Sequence, residues 1–316
     1  MQTTFPQLLL THAAQRPSAP AMREKEYGIW QTISWQDMAT MVAHMACGLH
    51  QAGLKRGEHM VVVGSNRPRL YATVLAAQSL GAIPIPLYQD AAAAECVFPM
   101  TNAEVRLCVV EDQEQVDKML EVREAYASLE RIYFDDPRGL RKYDEPGLGS
   151  VDELLAAGEV FAKQHPNFYK EQVEMGSKDD VAAMFFTSGT TGVPKGITHD
   201  HQRRIDWARS IALALRYDSR AITLCPIGLY SNISWVSMLS TFVVGGTLVI
   251  ERRFEPERVL RTIEERRVSH GSLVPIIVQR LLESPLFGQT DLRSLRALMC
   301  CGSPLPLPIK QRALRD

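Results

Sequence analysis

The chain has 316 residues, 46% hydrophobic and 22% charged, which is enough apolar material for a large buried core and for one or two domains. A net charge of -1 and a pI near 6.7, with no basic stretch dominating any segment, exclude a general nucleic-acid surface and make small polar molecules the expected partners. Six cysteines (Cys47, Cys96, Cys108, Cys225, Cys300, Cys301) show no Cys-x-x-Cys spacing, so neither a zinc site nor a redox pair is indicated, and reduced, mostly buried thiols are expected.

Residues 1–10 lack the basic start and long apolar run of a secretory signal, which gives a cytoplasmic expectation. Ser34 and Asp37 form a capping signal, and Met38, Met41, Val42, Met45, Leu49 and Ala52 recur at helical spacing before Gly53, predicting an amphipathic helix. Val61-Val62-Val63, inside residues 59–64, predicts a strand buried on both faces, and residues 68–80 predict a helix opened by Pro68. Residues 82–87 and 105–110 predict further strands. This alternation implies an α/β fold of layered, mostly parallel sheets with flanking helices.

Residues 135–150 and 163–180 read as irregular surface connections, rich in prolines, glycines and charges. The second is the expected boundary between an N-terminal α/β subdomain, 1–176, and a second one, 177–316. Beyond it, residues 181–186 predict a buried strand, 197–199 a short strand and 202–215 a helix. Residues 221–250 contain no charge and are long enough to cross a bilayer, yet Pro226, Gly228, Ser231, Asn232, Ser234, Gly245 and Gly246 interrupt them. A core helix followed by a strand at 247–250 is expected, with no transmembrane segment; peripheral membrane contact stays open.

The most informative stretch is Thr187-Ser188-Gly189-Thr190-Thr191-Gly192-Val193-Pro194-Lys195-Gly196, with three glycines, four hydroxyls and one lysine in ten residues. Glycines let amide groups approach an anion closely, hydroxyls add neutral donors and Lys195 adds a compact positive charge. The alternative is a plain Gly/Thr surface turn. A Walker A loop is excluded, because Gly192-Val193-Pro194-Lys195-Gly196 lacks its Gly-Lys-Ser/Thr run.

These ten residues resemble the signature loop of the AMP-forming adenylating enzymes, the superfamily of acyl-CoA synthetases, luciferases and peptide-synthetase adenylation domains. Residues 27–35 with the following helix, 57–66, 79–87, 245–250, Val274-Pro275 and 295–304 are similar to other elements of that family in the same order. The Trp30/Trp35 pattern and residues 136–143 look most like its long-chain fatty acyl-CoA synthetase branch.

The resemblance implies a large N-terminal domain and two half-reactions. A carboxylate attacks the α-phosphorus of ATP, giving pyrophosphate and an acyl-adenylate; a thiol, usually coenzyme A, then takes the acyl group. Negative charge gathers in the first step, so donors and cations, normally including Mg2+, must be in place beforehand. The implied phosphate-binding residues are Thr187, Ser188, Gly189, Thr190, Thr191, Gly192, Lys195 and Gly196, with Lys195 and Thr190 in catalytic roles. Gly302, Ser303 and Pro304, after the predicted strand 295–300, correspond to the family's turn against adenine; a strand-ending turn is the alternative. The implied acyl pocket draws on Tyr230, Ser231 and Trp235, and the reading is open between pocket lining and core packing for the two aromatic residues. Gly228-Leu229-Tyr230-Ser231 stands where many relatives carry a histidine, so no histidine role is carried over.

His199-Asp200-His201 is weighed as a metal cluster, but it offers two ligands on one strand face, and a polar strand-to-helix junction with Asp200 at the helix start is preferred. No metal ligand is assigned. The family's Tyr-Gly-x-Thr-Glu motif, ribose-binding Asp, hinge and C-terminal Lys have no match up to Asp316, which residues 304–316 approach as a helix. The expectation is therefore an N-terminal portion of an acyl-CoA ligase, against an inactive nucleotide-binding remnant or an adenylation domain for another carboxylic acid.

Overall fold

The structure is a computed structural model describing residues 4–187 and 194–315. Helix α1 (Phe5–Gln15) precedes a hairpin of β1 (Pro20–Glu26) and β2 (Ile29–Ser34). Then follow α2 (Trp35–Gln51), β3 (His59–Val63), α3 (Pro68–Ser79), β4 (Ile83–Leu87), α4 (Ala93–Asn102), β5 (Leu107–Val110), α5 (Gln113–Ala125), β6 (Arg131–Phe134), β7 (Leu148–Ser150), α6 (Val151–Gln164), α7 (Phe168–Glu174), β8 (Val181–Thr187) and β9 (Lys195–Asp200). The remainder is α8 (His201–Ala214), β10 (Ile222–Cys225), α9 (Asn232–Val244), β11 (Thr247–Ile250), α10 (Pro256–Arg266), β12 (His270–Leu273), α11 (Pro275–Glu283), β13 (Ala297–Cys300) and α12 (Leu307–Arg315).

Two units result. One comprises Met1–Ser18 and Trp35–Ile205, the other Ala19–Ser34 and Asp206–Asp316. The expected boundary at 176/177 thus lies inside the first unit, and the division falls in α8. The reason is pairing: β1 adds in parallel to β11, more than 200 residues downstream, with Met22 opposite Leu248, which takes the β1–β2 hairpin into the second unit.

Among the described residues, the first unit has a parallel sheet in the order β4-β3-β5-β6-β7 and a separate antiparallel pair, β8-β9. In β3, Met60 to Val63 are all buried because helices cover both faces. Each such aliphatic side chain contributes roughly 1.5–3 kcal/mol by leaving water. The second unit has the order β13-β12-β10-β11-β1-β2, parallel except for β2 at its edge. Its central strand β10 was hidden in the uncharged 221–250 run, where only a helix and the later strand were expected. No helix among the described residues is long and apolar enough to cross a membrane.

In the first sheet, strand order reverses direction between β3 and β5, the point at whose carboxyl ends doubly wound sheets commonly take a ligand. Here the chain's own side chains fill it. Glu111, after β5, accepts from Ser65 N at 2.6 Å, Ser65 Oγ at 2.8 Å and Arg67 Nε at 2.7 Å. Arg67 Nη2 also reaches Asp136 Oδ2 at 3.2 Å. Residues 135–150 are therefore not all surface connection: Asp136 is 8% exposed and β7 forms there. Residues 163–180 likewise hold a helix, α7, through which Val173 is buried.

Candidate functional site

The predicted phosphate loop hangs from the β8–β9 hairpin of the first unit. Phe185 pairs with Ile197, Phe186 with Gly196 and Thr187 with Lys195, so the two ends of the loop are neighbours on adjacent strands. Ser188, Gly189, Thr190, Thr191 and Gly192 lie outside the described residues. Thr187, Lys195 and Gly196 are exposed at the hairpin's open end. Gly196 has a packing reason as well: a Cβ there would stand 2.9 Å from Met184 Sδ and 3.3 Å from Phe186 Cζ.

The hairpin is rooted in the first unit's interior. Gln78 Nε2 on α3 donates to Ala182 O at 2.7 Å, a buried hydrogen bond that fixes β8 against the helix. At the other end of β9, Asp200 Oδ1 accepts from Arg203 N at 2.7 Å, as expected for a residue at a helix start. His201 is 2% exposed, its Nδ1 accepts from Phe5 N at 3.3 Å, and burial pushes its pKa down to about 4. It is a neutral core histidine. Among the described residues no three His, Cys, Asp or Glu side chains come together as a metal site.

The other predicted residues lie in the second unit, at the carboxyl ends of its parallel strands. β10 runs into residues 226–231 and β13 into 301–304, the edge where α/β sheets present ligand-binding loops. Cys301 N donates to Leu273 O at 3.0 Å, which ties the start of the turn to the end of β12. Gly302 then takes φ +92°, and a Cβ on it would stand 2.8 Å from Ile233 Cδ1 and 3.3 Å from Val274 Cγ1. Glycine meets both the left-handed backbone and the close approach of α9. Ser303 and Pro304 are exposed.

The structure thus brings Gly302 beside the start of α9, where the predicted acyl-pocket residues sit. Ser231 caps that helix, its Oγ accepting from Ile233 N at 3.3 Å while its carbonyl takes Ser234 Oγ at 2.6 Å. Tyr230 is half-buried just before the cap. Trp235 is fully buried and its indole donates to Leu229 O at 2.9 Å, the packing alternative of the two left open. Cys300 and Cys301 are half-buried rather than buried, because β13 is an edge strand; burial still raises both thiols above their ordinary pKa.

Sequence reasoning missed Arg204, which is 4% exposed and stands over the Phe185 ring. It also missed the Arg67–Glu111–Asp136 cluster. Neither had a signal in spacing, since each is assembled from separate elements.

A family model described as AMP-binding enzyme matches residues 9–316. Feruloyl-CoA synthase of Amycolatopsis sp is 28% identical over 307 residues, covering 96% of this chain and 55% of that protein. Pyochelin synthase PchD of Pseudomonas aeruginosa strain UCBPP-PA14 is 27% identical over 319 residues, with 98% and 53% covered. 2-Succinylbenzoate–CoA ligase of Bacillus pumilus is 28% identical over 316 residues, with 98% and 56% covered. The chain spans about half the length of the curated relatives it matches. Among solved structures, anthranilate CoA ligase AuaEII in complex with anthranoyl-AMP superposes with a TM-score of 0.85 at 18% identity, covering 98% of this chain and 57% of that one. ATP-bound MatB from Rhodopseudomonas palustris gives 0.79 at 20% identity, covering 99% and 57%. With the loop's hairpin and the ordered strands around it, the match over residues 9–316 means that this chain belongs to the AMP-binding enzyme family.

Proposed function

We propose that this chain carries the ATP-binding part of an AMP-forming carboxylate ligase that makes an acyl-adenylate and passes the acyl group to coenzyme A. The observation that carries the reading is the Thr187–Lys195 pair, which closes a loop of glycines and hydroxyls on a rooted hairpin and sets an exposed ammonium beside it. In this reading Thr187, Lys195 and Gly196 act with Ser188, Gly189, Thr190, Thr191 and Gly192 on the triphosphate, and Lys195 and Thr190 stabilise charge as pyrophosphate leaves. Gly302, Ser303 and Pro304 take the adenine, where the missing side chain at Gly302 leaves backbone open to a flat ring.

Mg2+ is expected to accompany the triphosphate. The described residues offer no cluster that fits it, so no step is assigned to the metal. In this reading the acyl side draws on Tyr230 and Ser231, with Trp235 a buried residue of the same segment. For the acid itself, the Trp30/Trp35 pattern supports a long-chain fatty acid, whereas relatives named for feruloyl, 2-succinylbenzoate and anthranilate substrates support an aryl acid. The 226–235 segment offers one half-buried aromatic residue and no charged group, which suits an apolar acid of either kind. A cytoplasmic setting goes with this reading, since ATP and coenzyme A are its co-substrates.

Calorimetric titration with ATP tests the reading. Lys195→Ala is expected to weaken ATP binding by about tenfold, the worth of one charge-assisted contact, with the fold unchanged. Equal affinity in the variant and the parent overturns the assignment of this loop. Acids of graded chain length and a set of aryl acids, offered to the enzyme in pyrophosphate exchange, decide the substrate class.

A further inference from the structure

The register of the β8–β9 hairpin places Ala183 opposite His199, Phe185 opposite Ile197 and Thr187 opposite Lys195. Because side chains alternate along a strand, these six residues share one face of the hairpin. On that face the Phe185 ring meets the Arg204 guanidinium, from the first turn of α8, at 5.3 Å from its centroid. The His199 ring approaches the same phenyl ring at 5.9 Å and 68°, edge to face. Three side chains from β8, β9 and α8 thus close on one another two residues below the Thr187–Lys195 pair.

A charged side chain is a costly choice for this position. Arg204 is 4% exposed, and burial draws its pKa down to about 10. A leucine or methionine would fill similar space without desolvating a cation. Toward Phe185 the guanidinium adds orientation: attraction to the negative face of an aromatic ring is directional in a way that aliphatic packing is not. His199 is kept more easily neutral by its own burial and by Arg204, so it can rest edge-on against the ring without adding a second cation; Arg203 acts in the same direction and Asp200 against it.

We propose that Arg204 is a positioning residue for the triphosphate loop, clamping Phe185 against His199 and so fixing the hairpin face from which Thr187 and Lys195 project. The proposal rests on the reading of that loop given above. Arg204 touches no phosphate in this scheme; it acts through Phe185 on the register and tilt of the two strands that carry the loop's ends.

The test uses the 316-residue chain, ATP titration by calorimetry and hydrogen exchange of the β8 and β9 amides. Arg204→Met is expected to weaken ATP binding about fivefold and to speed exchange at Thr187 and Lys195, while α3 exchanges as before. Arg204→Lys, which keeps a cation over the ring, restores most of the affinity. Phe185→Leu reproduces the Arg204→Met effect, and the double variant is no weaker than either single one. If Arg204→Met does not fold, Phe185→Leu with Arg204→Lys carries the comparison. Unchanged ATP affinity in Arg204→Met or Phe185→Leu, failure of Arg204→Lys to restore it, or fully additive losses overturns the proposal. Lys195→Ala separates the two readings: weakened binding there with intact binding in Arg204→Met removes Arg204 alone, whereas intact binding in Lys195→Ala removes the loop assignment and this proposal with it.

Discussion

Arg67 Nε stands 2.7 Å from Glu111 Oε1, joining the loops that leave β3 and β5 at the point where the first sheet reverses its strand order. The two side chains are 11% and 12% exposed, so neither charge keeps much of its hydration. Burial by itself would raise the Glu111 pKa, but the Ser65 amide and hydroxyl together with Arg67 hold it below the ordinary carboxylate value.

Removing one partner leaves the other charge buried and unmatched. Arg67→Met is therefore expected to destabilise the chain by about 3 kcal/mol, and Glu111→Ala by a similar amount. Because the Glu111 pKa is lowered on folding, its contribution is complete above pH 4.5, the ordinary value, and is lost as pH falls through the folded value. Urea unfolding at pH 7 and below pH 4 measures both: the Glu111→Ala penalty should shrink in acid, and a constant penalty would contradict the ionic account.

His201 adds an acid sensitivity of the same sign from a different cause, since here burial disfavours the charged form. Its folded pKa of about 4 lies below the ordinary 6.5, so the unfolded chain takes up a proton first. Stability is full above pH 6.5 and falls toward pH 4, by up to about 3 kcal/mol over the whole window. His201→Asn, which keeps an acceptor for Phe5 N, should be less stable at pH 7 yet flatter between pH 6.5 and 5. Parallel stability curves for the two proteins would show that the titrating group lies elsewhere.

Gly302 and Gly196 separate two reasons for a glycine. Gly302→Ala must adopt φ +92° and press on Ile233, and is expected to cost about 1–3 kcal/mol. Gly196→Ala meets mainly the movable end of Met184 in a strand, where an added Cβ costs less than about 1 kcal/mol. Melting temperatures of the two variants check the order, and a Gly196→Ala that melts below Gly302→Ala would reverse it. ATP titration of Gly302→Ala should also show weaker binding, because the added methyl displaces the turn assigned to adenine.

The α/β alternation, the helices α2, α3 and α8, the buried run in β3 and the family to which the Thr187–Gly196 motif points were all legible in the sequence. Each is a local pattern: a cap, a spacing of apolar residues or an ordered set of ligand-binding residue types within one segment. β10 was not legible, because periodicity cannot divide a continuous uncharged stretch into strand and helix.

Tertiary structure decided what local patterns do not encode. It assigned the β1–β2 hairpin to the second unit, since strand pairing depends on which edge β11 leaves open. It made Ser231 a cap and Trp235 a core residue, and it buried Asp136 from a segment with the composition of a surface loop. It also gathered Arg204, Phe185 and His199 on one face of the β8–β9 hairpin. Composition and spacing report which residues prefer to leave water; which polar and aromatic groups then become one another's partners follows only from how the elements pack.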